Sequence, residues 1–323
     1  MAENLEIRGP MTPWRLTRTT VAALVLSSAL ASAQAPAIPS FKASVDLVRI
    51  TAVVRDQKGR LIRDLTARDF EILEGTAPRA ITDFRSDIAG VSVALLFDVS
   101  GSMESRLTDA REEAVHILSW LSDGQDEAGI FTFDTELLEI APFTSGLKAL
   151  PAAIAKVVPF GQTSLRDAIA QAAQRVGSRE GRRRALIVLT DGRDTASRLT
   201  PDEVSTIARA IEVPVYIIGI LPSIDNPSED AATPSADKPW RAGSLEDLAT
   251  QTGGRVFKVS APGQRSLAAR QIVDELRHQY LIAFESSGNP GWHPLLVRTT
   301  RDKALTVRAR AGYTVGQSRP HSF

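Results

Sequence analysis

The stretch VSVALLFDVSGSM, residues 91–103, is a nearly unbroken apolar run that ends in one carboxylate and two hydroxyls, spaced Asp98-x-Ser100-x-Ser102. A run of this length, rich in Val and Leu and bounded by polar sequence, predicts a central parallel strand buried on both faces. The carboxyl ends of such strands open onto the crevice where α/β sheets bind ligands. The same residues therefore set the fold class and locate a candidate site.

Beyond residue 91 the chain alternates strands with amphipathic helices, the pattern of βαβ units and of a doubly wound, mostly parallel sheet. A helix is predicted over 104–122, with Leu107, Ala110, Ala114, Ile117, Leu118 and Leu121 on one face. A strand over 127–133 follows, and 136–140 returns beside it through the turn at Asp134-Thr135. The next helix, 164–176, buries Leu165, Ala168, Ile169, Ala172 and Val176, and ALIVLT at 185–190 repeats the buried-strand signature. Thr200 as N-cap, Pro201 at the first helical position and Glu203 completing a capping box predict a helix over 201–211. A strand over 213–220, a long Pro-, Ser- and Asp-rich loop over 222–242, a helix over 244–252, a strand over 255–259 and a helix over 266–278 complete the unit.

The flanks read differently. Residues 45–84 look like short strands and tight turns, broken by RDQKG at 55–59, and the same style returns in strands over 280–285, 295–300 and 305–310. Neither piece is large enough to hold a core alone. The expectation is that they pair into one small sandwich-like unit with the α/β domain inserted between them; separate docking on the sheet edge stays open. The expected layout is a leader at 1–35, a β segment at 36–88, the α/β domain at 89–279, a second β segment at 280–316 and a tail at 317–323.

Lys+Arg and Asp+Glu are equal at 38 each, so no net field favours nucleic acid or an anionic membrane surface. The run Arg182-Arg183-Arg184 reads as a solvated turn ahead of a strand. The absence of cysteine excludes a disulfide framework, a thiolate metal site and a cysteine nucleophile. At the amino terminus Arg15 and Arg18 precede an apolar run at 21–30, and small residues follow at 31–35. This reads as a secretory signal peptide, with an uncleaved anchor as the alternative and Met11 as a second possible start. The run is shorter than the roughly 20 residues of a membrane span. The expected location is exported, periplasmic or extracellular.

Three predicted strand tips present oxygen ligands on one rim: Asp98, Ser100 and Ser102 after the first strand, Thr163 at the opening of a helix, and Asp191 after 185–190. Hydroxyls and carboxylates without nearby His or Cys suit a hard ion such as Mg²⁺, Mn²⁺ or Ca²⁺ over zinc. So few carboxylates leave the ion electrophilic, with a coordination position open. Singly, each residue has a plainer reading: Ser100 and Ser102 as helix caps, and Asp191 as a turn residue before Gly192. Asp134 and Asp194 also lie near strand ends, and Trp240, Trp292 and His293 are loop residues that either cover the core or meet a partner.

DVSGSM, GQTSLRDAI and LTDGRD resemble, in order and spacing, the three metal-site elements of the von Willebrand factor type A (VWFA) domain, over about residues 91–259. The resemblance implies a metal-ion-dependent adhesion site (MIDAS) with Asp98, Ser100, Ser102, Thr163 and Asp191 as ligands and a partner's Asp or Glu in the open position. It also implies that ligand capture can couple to movement of the last helix. The flanks, including DLTARDFEILEG and LTVRARAGY, resemble the secreted VWFA-related domain proteins described from acidobacteria.

An enzyme needs an activated nucleophile or a matched acid/base pair. His116 falls within the first helix, His278 ends the last helix, His293 lies in the tail and His321 is terminal, so none is placed near Ser100, and no HExxH, GxSxG or phosphate-cradling glycine loop is present. The expected function is therefore a non-enzymatic, metal-dependent protein-binding module. The alternative is a structural component of a cell-envelope assembly whose metal serves fold integrity.

Overall fold

The computed structural model describes residues 47–179, 181–200, 203, 206–207, 212–221 and 245–316. The expected leader, Trp240 and the 222–242 loop lie outside the described residues, as does most of the 201–211 helix. Its capping box is formed: Thr200 N and Oγ1 both donate to Glu203 Oε2, at 2.8 and 2.9 Å.

A six-stranded sheet forms the centre. In chain order its strands are β5 (Val91–Asp98), β6 (Glu127–Phe133), β7 (Leu137–Ser145), β8 (Arg183–Thr190), β9 (Val215–Ile220) and β10 (Val256–Val259). They lie in the order β10-β9-β8-β5-β6-β7, all parallel except the edge strand β7. All eight residues of β5 are buried, as its apolar run predicts. Alternation then divides them between two cores. Val91, Val93, Leu95 and Phe97 pack under α1 (Leu107–Trp120) and the last helix, here α5 (Pro262–Arg277). Ala94 and Leu96 pack on the other face, under α3 (Leu165–Gly177) and α4 (Leu245–Gln251). This is the doubly wound α/β architecture.

Two helix starts differ from expectation, and one short helix was not expected. The first helix begins at Leu107, because Gly101–Met103 is taken up by a 3-10 turn. The short helix α2 (Ala152–Lys156) is too brief to show a helical period in the sequence. The last helix starts at Pro262, whose fixed φ suits a first helical turn, so the polar PGQR segment is helical although it carries no apolar signal. Among the described residues no helix is long and apolar enough to cross a membrane.

The flanks form two four-stranded antiparallel sheets facing a shared core. One has the order β13 (Thr306–Ala309), β1 (Leu47–Arg55), β11 (Tyr280–Glu285), β4 (Ile81–Arg85). The other has the order β14 (Gly312–Val315), β12 (Gly291–Thr299), β2 (Phe70–Glu74), β3 (Ala77–Arg79). Each sheet takes strands from both ends of the chain, and Ile50, Phe70, Ile72, Tyr280, Ile282 and Phe284 meet between them. The two β pieces thus make one sandwich. Trp292 and His293 belong to it: a Cβ on Gly312 would strike the Trp292 ring, and His293 stacks on Tyr313 and bonds Glu74 at 2.7 Å.

One polar residue lies on an apolar stripe. Glu113 of α1 is fully buried between Ala110 and Ile117, and neither carboxylate oxygen has a hydrogen-bond partner among the described residues. Arg265 of α5 is the nearby cation, but its guanidinium pairs with Asp109 and Glu112, at 3.2 and 2.8 Å. Burial pushes the Glu113 carboxyl up to about 8, against the pull of Arg265. The folded state therefore holds a proton that the unfolded chain releases near its ordinary value of 4.5, and stability falls as pH rises from 4.5 to 8. Glu113→Gln is expected to match the wild type in urea unfolding at pH 4.5. At pH 8 it should exceed it by up to about 4 kcal/mol, because each tenfold rise in proton affinity on folding is worth about 1.4 kcal/mol. Equal stability at both pH values would contradict the assignment.

Candidate metal centre

The parallel register of β5 and β8 places Phe97 beside Leu189, so Asp98 and Thr190 emerge together at the sheet's carboxyl edge. Thr190 Oγ1 donates to Asp98 Oδ2 at 2.6 Å. Ser100 donates to Oδ1 twice, from N at 3.0 Å and from Oγ at 2.6 Å, and Ser102 Oγ lies 3.3 Å from Ser100 Oγ. Ser100 opens the 3-10 turn, but its hydroxyl makes no cap bond. The hydroxyl is turned to Asp98, so the plain capping reading does not describe it.

The other two elements are tied to this loop through the backbone. Phe160 N donates to Val99 O at 3.0 Å and Gly101 N to Gly161 O at 3.1 Å; the φ of +80° at Gly161 suits glycine at this bend. Thr163 is in turn fastened to the segment after β8. Its N donates to Thr195 Oγ1, and its O accepts from Thr195 N and Ala196 N, all at 2.9 Å. These ties hold Asp98, Ser100, Ser102, Thr163 and Asp191 on three mutually bonded loops. The Thr163 hydroxyl itself makes no hydrogen bond among the described residues.

The two carboxylates of the site differ in their electrostatics: Asp191 pairs with Arg106 and Arg193, at 3.4 and 3.8 Å, and Asp98 does not pair with a cation among the described residues. Asp98 is fully buried and has no basic partner among the described residues. Burial pushes its carboxyl up to about 6, the bonds from Ser100 and Thr190 pull it back, and the charge of Asp191 adds to the rise. Asp191 Oδ1 does accept from Arg193 N at 3.1 Å, the turn role open to it from sequence, while Oδ2 faces Arg106 Nη1 at 3.4 Å. Nothing local in the sequence marks Arg106. It is buried on the metal loop and also donates to Ser102 O at 2.7 Å.

Asp134 and Asp194 are engaged elsewhere. Asp134 Oδ1 accepts from Thr135 N and Glu136 N and shapes the β6–β7 turn. Asp194 accepts from Arg166 N and Ser197 N, both at 3.1 Å, and so secures the start of α3. Among the described residues no three His, Asp or Glu side chains gather as a metal cluster; the hydroxyls must complete this donor set. Val158 and Phe160, 80% and 81% exposed, stand on the loop leading to Thr163 and give the rim an apolar border.

Residues 92–273 match the von Willebrand factor type A domain. The chain belongs to the VWFA family. Domains of this family bind a divalent cation at a MIDAS and mediate protein–protein interactions. No curated protein matches the chain. Among solved structures, BatB from Bacteroides thetaiotaomicron is 21% identical with a TM-score of 0.44, covering 58% of this chain and 98% of its own. A von Willebrand factor type A protein from Catenulispora acidiphila is 14% identical with a TM-score of 0.46, covering 85% and 76%. Proximal thread matrix protein 1 from the mussel byssus, with a zinc-occupied MIDAS motif, is 20% identical with a TM-score of 0.44, covering 63% and 50%.

The residues of this VWFA chain fit the cation its family binds. A buried carboxylate without a countercharge, a second carboxylate and three hydroxyls on tied loops form an all-oxygen donor set. Hydroxyls that now donate to Asp98 can offer lone pairs to an ion in their place.

Proposed function

We propose that the chain is an exported, non-enzymatic binding module that captures an Asp or Glu side chain of a partner protein through a divalent cation. Asp98, Ser100, Ser102, Thr163 and Asp191 would hold the ion. The observation that carries this reading is the buried Asp98 carboxylate, which accepts from the Ser100 and Thr190 hydroxyls and has no basic partner among the described residues. A buried charge is stable only when paired or coordinated. A bound cation supplies that pairing and an electrophilic position for an external carboxylate. Mg²⁺ is the proposed ion, with Mn²⁺ or Ca²⁺ as substitutes.

The chain's residues divide the remaining work. Arg106 neutralises one side of Asp191 and keeps the site from holding a second uncompensated carboxylate. Val158 and Phe160 offer apolar contact beside the anchor, the combination of central anchor and water-excluding surround that marks protein interfaces. Export rests on the signal-peptide pattern at 1–35.

Affinity capture from cell-envelope extract tests the proposal. A partner is expected to be retained in Mg²⁺ and released by chelator, and to be lost when its contacting Asp or Glu is changed to Asn or Gln. Retention that persists in chelator would overturn the metal-dependent reading.

A further inference from the structure

A second polar site lies at the opposite end of the central sheet. A cavity of about 520 Å³ opens between the amino-terminal ends of β8 and β9 and the outer face of the sandwich sheet containing β1, β11 and β4. Its size is that of a small-molecule site. Seven arginines line it against two carboxylates, Asp87 and Glu212, in a chain whose total charge is zero. The Arg182-Arg183-Arg184 run, expected to be a solvated turn, forms one wall.

Part of this charge has structural work. Arg179 and Arg182 share Glu127, Arg183 donates to the last carbonyls of α5, and Arg184 donates to Gly177 O at the end of α3. Helix ends carry partial negative charge and suit such partners. The opposite wall is not explained this way. Arg85 on β4 lies opposite Leu281 of β11, and Arg49 on β1 lies opposite Ala283 of the same strand, two residues along. Arg49 is exposed and has no carboxylate partner among the described residues; Arg85 has only the exposed Asp83, at 3.3 Å. Between the walls Arg310 is 8% exposed, reaches Arg49 O at 3.0 Å and Glu212 at 3.4 Å, and leaves its Nε without a partner among the described residues. Like charges gathered from two layers around a partly closed cavity repel one another unless an anion enters, and guanidinium forks match the planar and tetrahedral oxyanions.

We propose that this cavity binds a small polyanion bearing two or more phosphate or carboxylate groups, bridging Arg49 and Arg85 of the sandwich to Arg183, Arg184 and Arg310. The site is independent of the metal centre.

Calorimetric titration of the full chain with pyrophosphate, and separately with citrate, in metal-free buffer at matched ionic strength tests it. Saturable one-to-one binding of either probe is expected, and the stronger of the two identifies phosphate or carboxylate as the ligand chemistry. Arg49→Ser/Arg85→Ser should weaken that binding at least fivefold with the circular dichroism spectrum retained. If the double variant fails to fold, Arg49→Ser alone carries the test on the criterion of any weakening of twofold or more. Absence of saturable binding of both probes, or smaller changes than these in the variants, would overturn the proposal.

Discussion

Asp98→Ala is expected to remove the response of the protein to divalent cations while leaving its metal-free stability nearly intact. In the wild type a cation at 100 times its dissociation constant adds about 2.7 kcal/mol by mass action, or roughly 5–10 °C in Tm for a domain of this size. The variant should gain nothing. Its metal-free fold loses the acceptor of the Ser100 and Thr190 hydroxyls, but it also loses a carboxylate buried without a countercharge. These effects oppose each other, so the cost is small. The pH dependence has a definite sign. Because folding raises the Asp98 carboxyl from 3.8 to about 6, the metal-free protein loses stability as pH rises through that interval, and added Mg²⁺ should restore it above pH 6. Thermal shifts with and without chelator at pH 4.5 and 7.5 measure both effects. A Mg²⁺-induced shift that survives in Asp98→Ala would place the cation elsewhere.

The second large effect is expected at Glu275, which joins the last helix to the sandwich. Glu275 is fully buried on α5. Arg55 at the end of β1 donates to its Oε1 from Nε at 3.2 Å and Nη2 at 2.6 Å, Arg308 of β13 reaches Oε2, and Tyr216 Oη donates to Oε2 at 3.1 Å. Arg255 lies 3.6 Å away. One carboxylate thus gathers three guanidiniums, from β1, from β13 and from the turn before β10. Glu275→Ala leaves them crowded without countercharge, and removal of one member of a buried ionic group costs about 3–5 kcal/mol. Arg55 and Arg308 keep about a fifth of their side-chain surface exposed, so the low end, about 3 kcal/mol, is expected. Urea unfolding with an unchanged slope reads it directly; a loss below about 1 kcal/mol would show that the network is not holding the two layers together.

The tip of β5 was legible because three local signals coincide there: an eight-residue apolar run, the carboxylate that ends it, and hydroxyls at alternate positions. The same logic found Asp191 after β8, and the pairing of the flanks followed from neither being able to bury a core alone. The elements that escaped were short or polar. β3 has three residues, too few for any period to show, and the start of α5 is a polar PGQR segment. Charged residues inside the fold escaped for a different reason. Glu113 interrupts an apolar stripe that was traced from apolar positions alone, and the Glu275 group joins residues 220 and 33 positions apart, which no local pattern encodes. Arg106 and the arginine cavity depend likewise on which loops the sheet brings together.

The assignment of one divalent cation to Asp98, Ser100, Ser102, Thr163 and Asp191 is tested most directly by calorimetric titration of Mg²⁺ into the full chain at pH 7.5, repeated with Asp98→Ala and Thr163→Ala. One site per chain is expected in the wild type, lost in the first variant and weakened at least tenfold in the second. Absence of Mg²⁺ binding in the wild type, or equal affinity in all three proteins, would contradict it.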